Sequence, residues 1–295
     1  MGKAVEPVSY RKATILDYIT AGFAYGAIFL VRLLPFTLAS HLGAFLASTF
    51  GPMFKKSQMA RKNIAAAFPD KTEAEIEMIL REVWETLGRA AFEFPIIERL
   101  VDGKDRNRIE IEGEEHLRAA EATGKPILFF SAHLGSWELT AMSSRLLNFK
   151  SNVFYRAPNN PLLLKLFTQR PINGETIPKG AAGAKRAFTL LKRGENLGIL
   201  IDQKLNDGIP IPLFGRDAMT GTVLAKFAKR FDAPMVPIKC VRLPGARFKL
   251  SFLPALEVTE ADDETSIMTT VNEMLEGWIR ENPGQWLWLH KRWPD

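Results

Sequence analysis

Residues 125–138 read Lys125-Pro126-Ile127-Leu128-Phe129-Phe130-Ser131-Ala132-His133-Leu134-Gly135-Ser136-Trp137-Glu138. After Pro126 comes an uninterrupted apolar run, residues 127–130, with no polar alternation. That is the pattern of a short strand buried on both faces, as in parallel sheets covered by helices. Residues 137–147 then read as a helix, so His133 falls in the turn at the strand's carboxyl end. Outward from this unit the pattern repeats. Further strands are expected at residues 152–155, 197–201, 235–241 and 248–252, and helices around 161–167, 182–191, 220–231 and 271–279. Strands alternating with helices imply an α/β fold, a mostly parallel central sheet flanked by helices. In such sheets functional groups gather at strand carboxyl ends. Three polar residues stand at such ends here: His133, Arg156 and Asp202.

The N-terminus has a different character. Across residues 18–54 the only formally charged residue is Arg32. Residues 18–31 fall short of the roughly 20 apolar residues that cross a bilayer core, and extending through Arg32 to Leu34 reaches that length if Arg32 snorkels. Pro35 breaks the helix, and a second apolar stretch covers residues 36–54. Lys3, Arg11 and Lys12 precede this region, and Lys55, Lys56, Arg61 and Lys62 follow it. Basic flanks on both sides give no orientation. They also suit helices lying in one leaflet with cations on anionic headgroups. No small-residue cleavage site follows cleanly, so a signal peptide fits poorly. The division expected is a membrane anchor at residues 1–56, as one kinked or two short helices, and an α/β domain at 57–295. A buried helix pair is the competing account of the same stretch. The second domain begins with helical packing material. A helix around 60–68 ends at Pro69, and Thr72-Glu73-Ala74-Glu75 has the form of a capping box. Ile76, Ile79, Leu80, Val83, Trp84 and Leu87 then recur at helical spacing.

Composition narrows the chemistry. Of 295 residues, 39 are Lys or Arg and 33 Asp or Glu, a formal charge of +6. A basic balance suits nucleic acid, anionic lipid or an acidic protein, and nothing beyond net charge favours nucleic acid. The single Cys240, inside an apolar run, reads as a buried structural thiol and excludes a disulfide framework or a cysteine zinc site. No two of the four histidines (His41, His116, His133, His290) stand at metal-ligand spacing. There is no Gly-x-Ser-x-Gly elbow and no phosphate or dinucleotide glycine motif.

His133 and Glu138 would lie about 140° apart around a single helix, too far for contact. If His133 lies in the turn and Glu138 in the first helical turn, the carboxylate can reach back to one imidazole nitrogen. The other nitrogen is then an acceptor poised as general base for a hydroxyl or amine. Gly135 would allow close backbone approach, and amides at the helix start could stabilise an oxyanion. A core histidine beside a glutamate that caps its own helix also explains the same spacing, which is short.

The segment Phe129–Glu138 resembles the active-site block of the bacterial lipid A late acyltransferases, the lauroyl/myristoyl transferase family. Five further stretches match in order: Arg61-Lys62-Asn63-Ile64 with Ala67-Phe68-Pro69, Tyr155-Arg156-Ala157-Pro158-Asn159-Asn160-Pro161, Asp202-Gln203, Pro212-Leu213-Phe214-Gly215 with Thr220 and Gly221, and Trp288-Leu289-His290-Lys291-Arg292-Trp293. The likeness covers nearly the whole chain. It implies a glycerolipid-acyltransferase-like fold in a bacterial inner-membrane enzyme whose catalytic domain faces the cytoplasm. It also implies fatty acyl transfer from acyl carrier protein to a hydroxyl of a 3-hydroxyacyl chain on a lipid A precursor, with no metal or bound cofactor. Carried over residue by residue, His133 is the base and Glu138 its orienting partner. Gly135, Tyr155, Arg156, Asn159, Asp202, Gln203, Lys204, Arg216 and Thr220 are candidate substrate-binding residues, Arg156 serving an anionic group or the developing charge. Ser136 departs from the family, in which many members carry Asn.

The implied partners are acyl carrier protein, a glycolipid acceptor and membrane lipids. Three other functions fit parts of the same pattern: an acyl-CoA-dependent enzyme acting on another glycolipid such as a phosphatidylinositol mannoside, a non-catalytic membrane scaffold, and a thioester hydrolase.

Overall fold

A computed structural model describes residues 11–294. Two apolar helices lead, α1 (Ile15–Leu33) and α2 (Phe36–Phe50), separated by the break at Pro35. They are followed by α3 (Lys55–Ala67) and α4 (Glu73–Glu93). The Thr72 capping box is formed in both directions, Glu75 N donating to Thr72 Oγ1 and Thr72 N to a Glu75 carboxylate oxygen. A one-turn helix, α5 (Glu98–Val101), leads into the sheet.

The α/β part runs β1 (Ile109–Glu112), α6 (Glu114–Ala122), β2 (Leu128–Ser131), α7 (Glu138–Leu146), β3 (Asn152–Tyr155), α8 (Leu164–Thr168), β4 (Thr176–Pro178), α9 (Ala181–Lys192) and β5 (Leu197–Leu200). A hairpin, β6 (Ile209–Leu213) with β7 (Arg216–Thr220), is followed by α10 (Val223–Phe231), β8 (Met235–Leu243), β9 (Arg247–Phe252) and α11 (Glu264–Glu281). The main sheet has the order β1-β9-β8-β2-β5-β3-β4. β8, β2, β5, β3 and β4 are mutually parallel, while β9 pairs antiparallel to β8 and carries β1 parallel to itself. The mostly parallel sheet flanked by helices is therefore as expected from the alternation.

β2 lies in the middle, with all four residues buried. Period two sorts its neighbourhood between two cores. Leu128 and Phe130 join one cluster with α9, α10, α11 and the C-terminal tryptophans, while Ile127 and Phe129 face a second with α6, α7 and Phe36 of α2. After β2 the chain adds strands on one side, then returns to the other with β8. The site expected at such a switch point lies at the carboxyl ends of β2 and β5.

The N-terminal helices differ in how they are held. α1 is long and apolar enough to cross a membrane by length and composition, and Ile15, Leu16, Phe23, Phe29 and Leu30 are exposed on it. α2 presents Leu38, Phe45 and Phe50 outward but buries Phe36, Ala39, Ser40, Gly43 and Ala44. Its Gly43 meets Gly88 of α4 so closely that a Cβ on Gly43 would lie 2.3 Å from the Gly88 carbonyl oxygen. Ser40 also donates to Glu93, whose carboxylate takes a bidentate pair of bonds from Arg242 on β8 at 2.7 and 2.6 Å. α2 is thus packed into the same body as the sheet.

Candidate active site

His133 follows β2 and Asp202 follows β5. These strands are adjacent, in the register Ser131 to Leu200, so residues 69 apart in sequence arrive side by side. Asp202 is fully buried. Its Oδ1 lies 2.8 Å from His133 Nδ1, and its Oδ2 accepts from the His133 amide at 2.9 Å and the Trp286 indole at 2.8 Å. Burial alone would raise its pKa. The charge and hydrogen bond of His133, with His290 nearby and the His133 amide, outweigh that and hold it below the usual carboxylate range. An ionised Asp202 requires the proton of a neutral His133 to sit on Nδ1. The lone pair of Nε2 is then free to face a substrate.

The turn carrying His133 is fixed from behind. Gly135 has φ +58° and packs so tightly that a Cβ would lie 2.4 Å from the Cys240 carbonyl oxygen. Its amide donates to Gln285 O, Leu287 N donates to His133 O, and Leu134 bridges Trp286. The amides of His133 and Gly135 are therefore both committed to partners within the protein. Burial pushes the Cys240 thiol up to about 12, in keeping with a structural thiol. Trp286, Trp288 and Trp293 are all buried and pack edge-on or stacked beneath the pair.

Glu138 departs from its expected place. It is the first residue of α7 and His133 precedes the helix, as the reach-back required, yet its carboxylate points elsewhere. Its Oε1 accepts from Arg170 Nη2 at 3.1 Å, and its buried Oε2 has no hydrogen-bond partner. The carboxylate bonded to His133 is that of Asp202, because strand adjacency supplies a residue already at bonding distance. Glu138 and Arg170 instead line a cavity of about 50 Å³ with Phe129, Phe149, Val153, Phe154 and Ile199. Arg170 also lies over the rings of Phe94 and Phe167.

The remaining candidates separate into groups. Arg156, exposed after β3, and Gln203, half-buried after Asp202, gather around Lys179 at the end of β4. Lys179 Nζ donates to Gln203 Oε1 at 3.2 Å, and its amide donates to Tyr155 O. Crowding by the protein lowers the Lys179 pKa and Arg156 lowers it further, against the attraction of Asp202. Lys179 was not anticipated, because a three-residue strand ending in Pro178 gives no periodic signal, although its strand-end position is the same clue that picked out Asp202. Tyr155 is buried, its phenol pushed up by burial, while Asn159 is exposed and Lys204 half-buried. The neighbouring Asn160 holds the loop to α1 through Asp17 O at 2.9 Å and Thr20 Oγ1 at 3.0 Å.

Two candidates lie away from the pair. Thr220 is fully buried and accepts from the buried Arg292 at 2.7 Å, so its role is to support the interior. Burial lowers the Arg292 pKa to about 10, with Asp202 opposing. Arg216 opens onto a different cavity with α3. His290 is more intimate than expected. Its Nδ1 lies 2.5 Å from Leu287 O and its Nε2 3.2 Å from Asp202 O. Burial lowers its pKa, Asp202 opposing, and a neutral ring donates to only one of these two carbonyls.

The model of the family described as bacterial lipid A biosynthesis acyltransferase matches residues 9–295. The chain belongs to that family. The chain is 26% identical to the lipid A biosynthesis lauroyltransferase of Escherichia coli, over 90% of this chain and 89% of that one. It is 25% identical to the lipid A biosynthesis palmitoleoyltransferase of the same organism, over 93% and 91%. It is also 23% identical to the phosphatidylinositol mannoside acyltransferase of Mycobacterium tuberculosis, over 80% and 77%. Among solved structures, the 1-acyl-sn-glycerophosphate acyltransferase of Thermotoga maritima aligns with the chain at TM-score 0.40 and 10% identity, over 84% of this chain and 96% of that one.

Proposed function

We propose that this acyltransferase moves a fatty acyl group from the thioester of acyl carrier protein to a hydroxyl of a 3-hydroxyacyl chain on a lipid A precursor, by direct attack. The single observation that carries the mechanism is the His133–Asp202 pair, with Nδ1 bonded to a buried, ionised carboxylate. His133 Nε2 takes the proton of the acceptor hydroxyl as its oxygen attacks the thioester carbonyl. Asp202 stays ionised and stabilises the imidazolium that forms, which is the role of the buried aspartate in hydrolase triads. The tetrahedral intermediate collapses, the C–S bond breaks, and the proton on Nε2 passes to the departing thiolate. No acyl-enzyme forms and no metal or bound cofactor enters. Lys179, within electrostatic reach of Asp202, and Arg156 beside it supply positive charge for the developing oxyanion or an anionic part of either substrate. The small cavity that Glu138 and Arg170 line together with Phe129, Phe149 and Ile199 takes the end of the acyl chain.

The exposed apolar faces of α1 and α2 support attachment to the bacterial inner membrane, with the sheet domain on the cytoplasmic side where acyl carrier protein is found. The experiment is mass spectrometry of lipid A from cells lacking the gene, alongside the purified full chain assayed with acyl carrier protein or CoA thioesters. Loss of one acyl chain and a preference for the carrier protein support the proposal. An unchanged lipid A profile overturns it. The mycobacterial relative gives a second reading, transfer from acyl-CoA to a phosphatidylinositol mannoside, which predicts turnover with CoA thioesters and that acceptor.

A further inference from the structure

Away from the His133 pair, a cavity of about 490 Å³ opens between α3 and the end of the chain. Lys55, Lys62, Arg216 and Lys291 line it, with Asn63 and Trp293, and its described lining contains no carboxylate. Lys55 and Lys62 are seven residues apart on α3, two turns along one face. Neither they nor Arg216 has an ion-pair partner among the described residues, whereas Arg61 between them is paired with Glu77. The Arg216 guanidinium lies over the Trp293 ring, 4.8 Å from its centroid, which fixes it in place. Its Nη1 is buried and has no hydrogen-bond partner. A fixed guanidinium with an unused N–H, lining one cavity with two lysines that have no ion-pair partner among the described residues, is suited to holding an anion.

The surroundings indicate where that anion comes from. Met53 and Phe54, immediately before Lys55, are exposed, and Phe50 one turn earlier is exposed as well. Bare apolar side chains adjoining a basic hollow are the arrangement expected where a protein meets lipid at headgroup level. We infer that this cavity binds the phosphate monoester of a membrane lipid headgroup, Arg216 taking its oxygens and Lys55 and Lys62 neutralising its second charge. The site is separate from the acyl-transfer pair, so it stands or falls independently of the donor and acceptor proposed above.

The test uses the purified full chain in detergent and measures binding of short-chain phosphatidic acid, phosphatidylcholine, inorganic phosphate and acyl carrier protein. Wild type should bind phosphatidic acid in preference to phosphatidylcholine. Lys62→Gln and Arg216→Gln should each weaken that binding about tenfold or more, and Lys56→Gln, outside the cavity, should not. Lys62 is exposed, so its variant keeps the test valid if Arg216→Gln unfolds. Equal binding by wild type and Lys62→Gln overturns the inference, as does equal affinity for phosphatidylcholine. Inorganic phosphate binding as tightly as phosphatidic acid would make this a free-anion site, and displacement of the lipid by acyl carrier protein would make it a protein-docking site. Either result also overturns it.

Discussion

His133 Nδ1 and Asp202 Oδ1 lie 2.8 Å apart at the ends of two neighbouring parallel strands, with the Asp202 carboxylate held from its other side by the Trp286 indole. The imidazole is thereby held in tautomer and direction, and the proposed mechanism makes that carboxylate, rather than Glu138, its orienting partner. Asp202→Asn should lower kcat by roughly 10³–10⁴-fold, as expected when a buried aspartate loses control of the tautomer. Glu138→Gln should leave the pH profile of kcat unshifted. Steady-state kinetics of both variants with one thioester donor distinguish the two partners. Equal effects, or a larger one at Glu138, would remove Asp202 from the mechanism.

Because the Asp202 pKa is depressed in the folded chain, folding favours its ionised form. Its stabilising contribution is complete above the ordinary carboxylate range near pH 4 and is lost as pH falls toward the lower folded value. The Tm difference between wild type and Asp202→Asn should hold steady from about pH 7 to 5 and narrow below about pH 4. Thermal unfolding across that range reads it directly.

The ion pair between Glu93 and Arg242 is buried on both sides, with side-chain exposures of 1% and 8%. Removing one partner strands the other. Arg242→Met should cost about 3–5 kcal/mol, while Glu93→Met with Arg242→Met should recover much of that loss. Denaturant midpoints for the two single variants and the double variant complete the cycle.

Gly135 sits where only a residue without Cβ fits, by both its φ and the Cys240 carbonyl. Gly135→Ala should destabilise by at least about 1–3 kcal/mol and disturb the His133 turn. Activity should fall more than the folded fraction does, measured as kcat against circular dichroism at one temperature.

Ala141 lines the same small cavity as Glu138, Arg170 and Phe129. If that cavity receives the acyl terminus, Ala141→Phe should shift preference toward shorter donors, by about 10-fold or more per pair of chain lengths. Competition between two acyl thioesters of different length measures the ratio.

Much of this arrangement was legible in the residues. The run after Pro126 marked a buried strand, and Asp202 was recognisable as a strand-end residue, because parallel strands buried on both faces lose polar alternation. What periodicity cannot carry is strand order. That β5 lies directly beside β2 is a long-range fact, so the carboxylate nearest in sequence, Glu138, was preferred over the one nearest in space. The β6–β7 hairpin carries no legible strand pattern because Pro210 and Pro212 interrupt it, and residues 220–222, expected in a helix, precede the one that begins at Val223. The support given by the Arg292 side chain to Thr220 and by the Gln285 main-chain carbonyl to the His133 turn comes from the C-terminal segment reaching back to earlier parts of the chain, which no local pattern announces.

The contact of Gly43 with Gly88 has a mechanical consequence. A helix pressed backbone to backbone against α4 cannot behave as a tether on which a catalytic domain swings. The height of His133 above the exposed apolar surface is then set by packing, like a tool on a fixed stand. On the proposed reading, substrates must come to that height themselves, by lateral diffusion for the lipid and from solution for the donor.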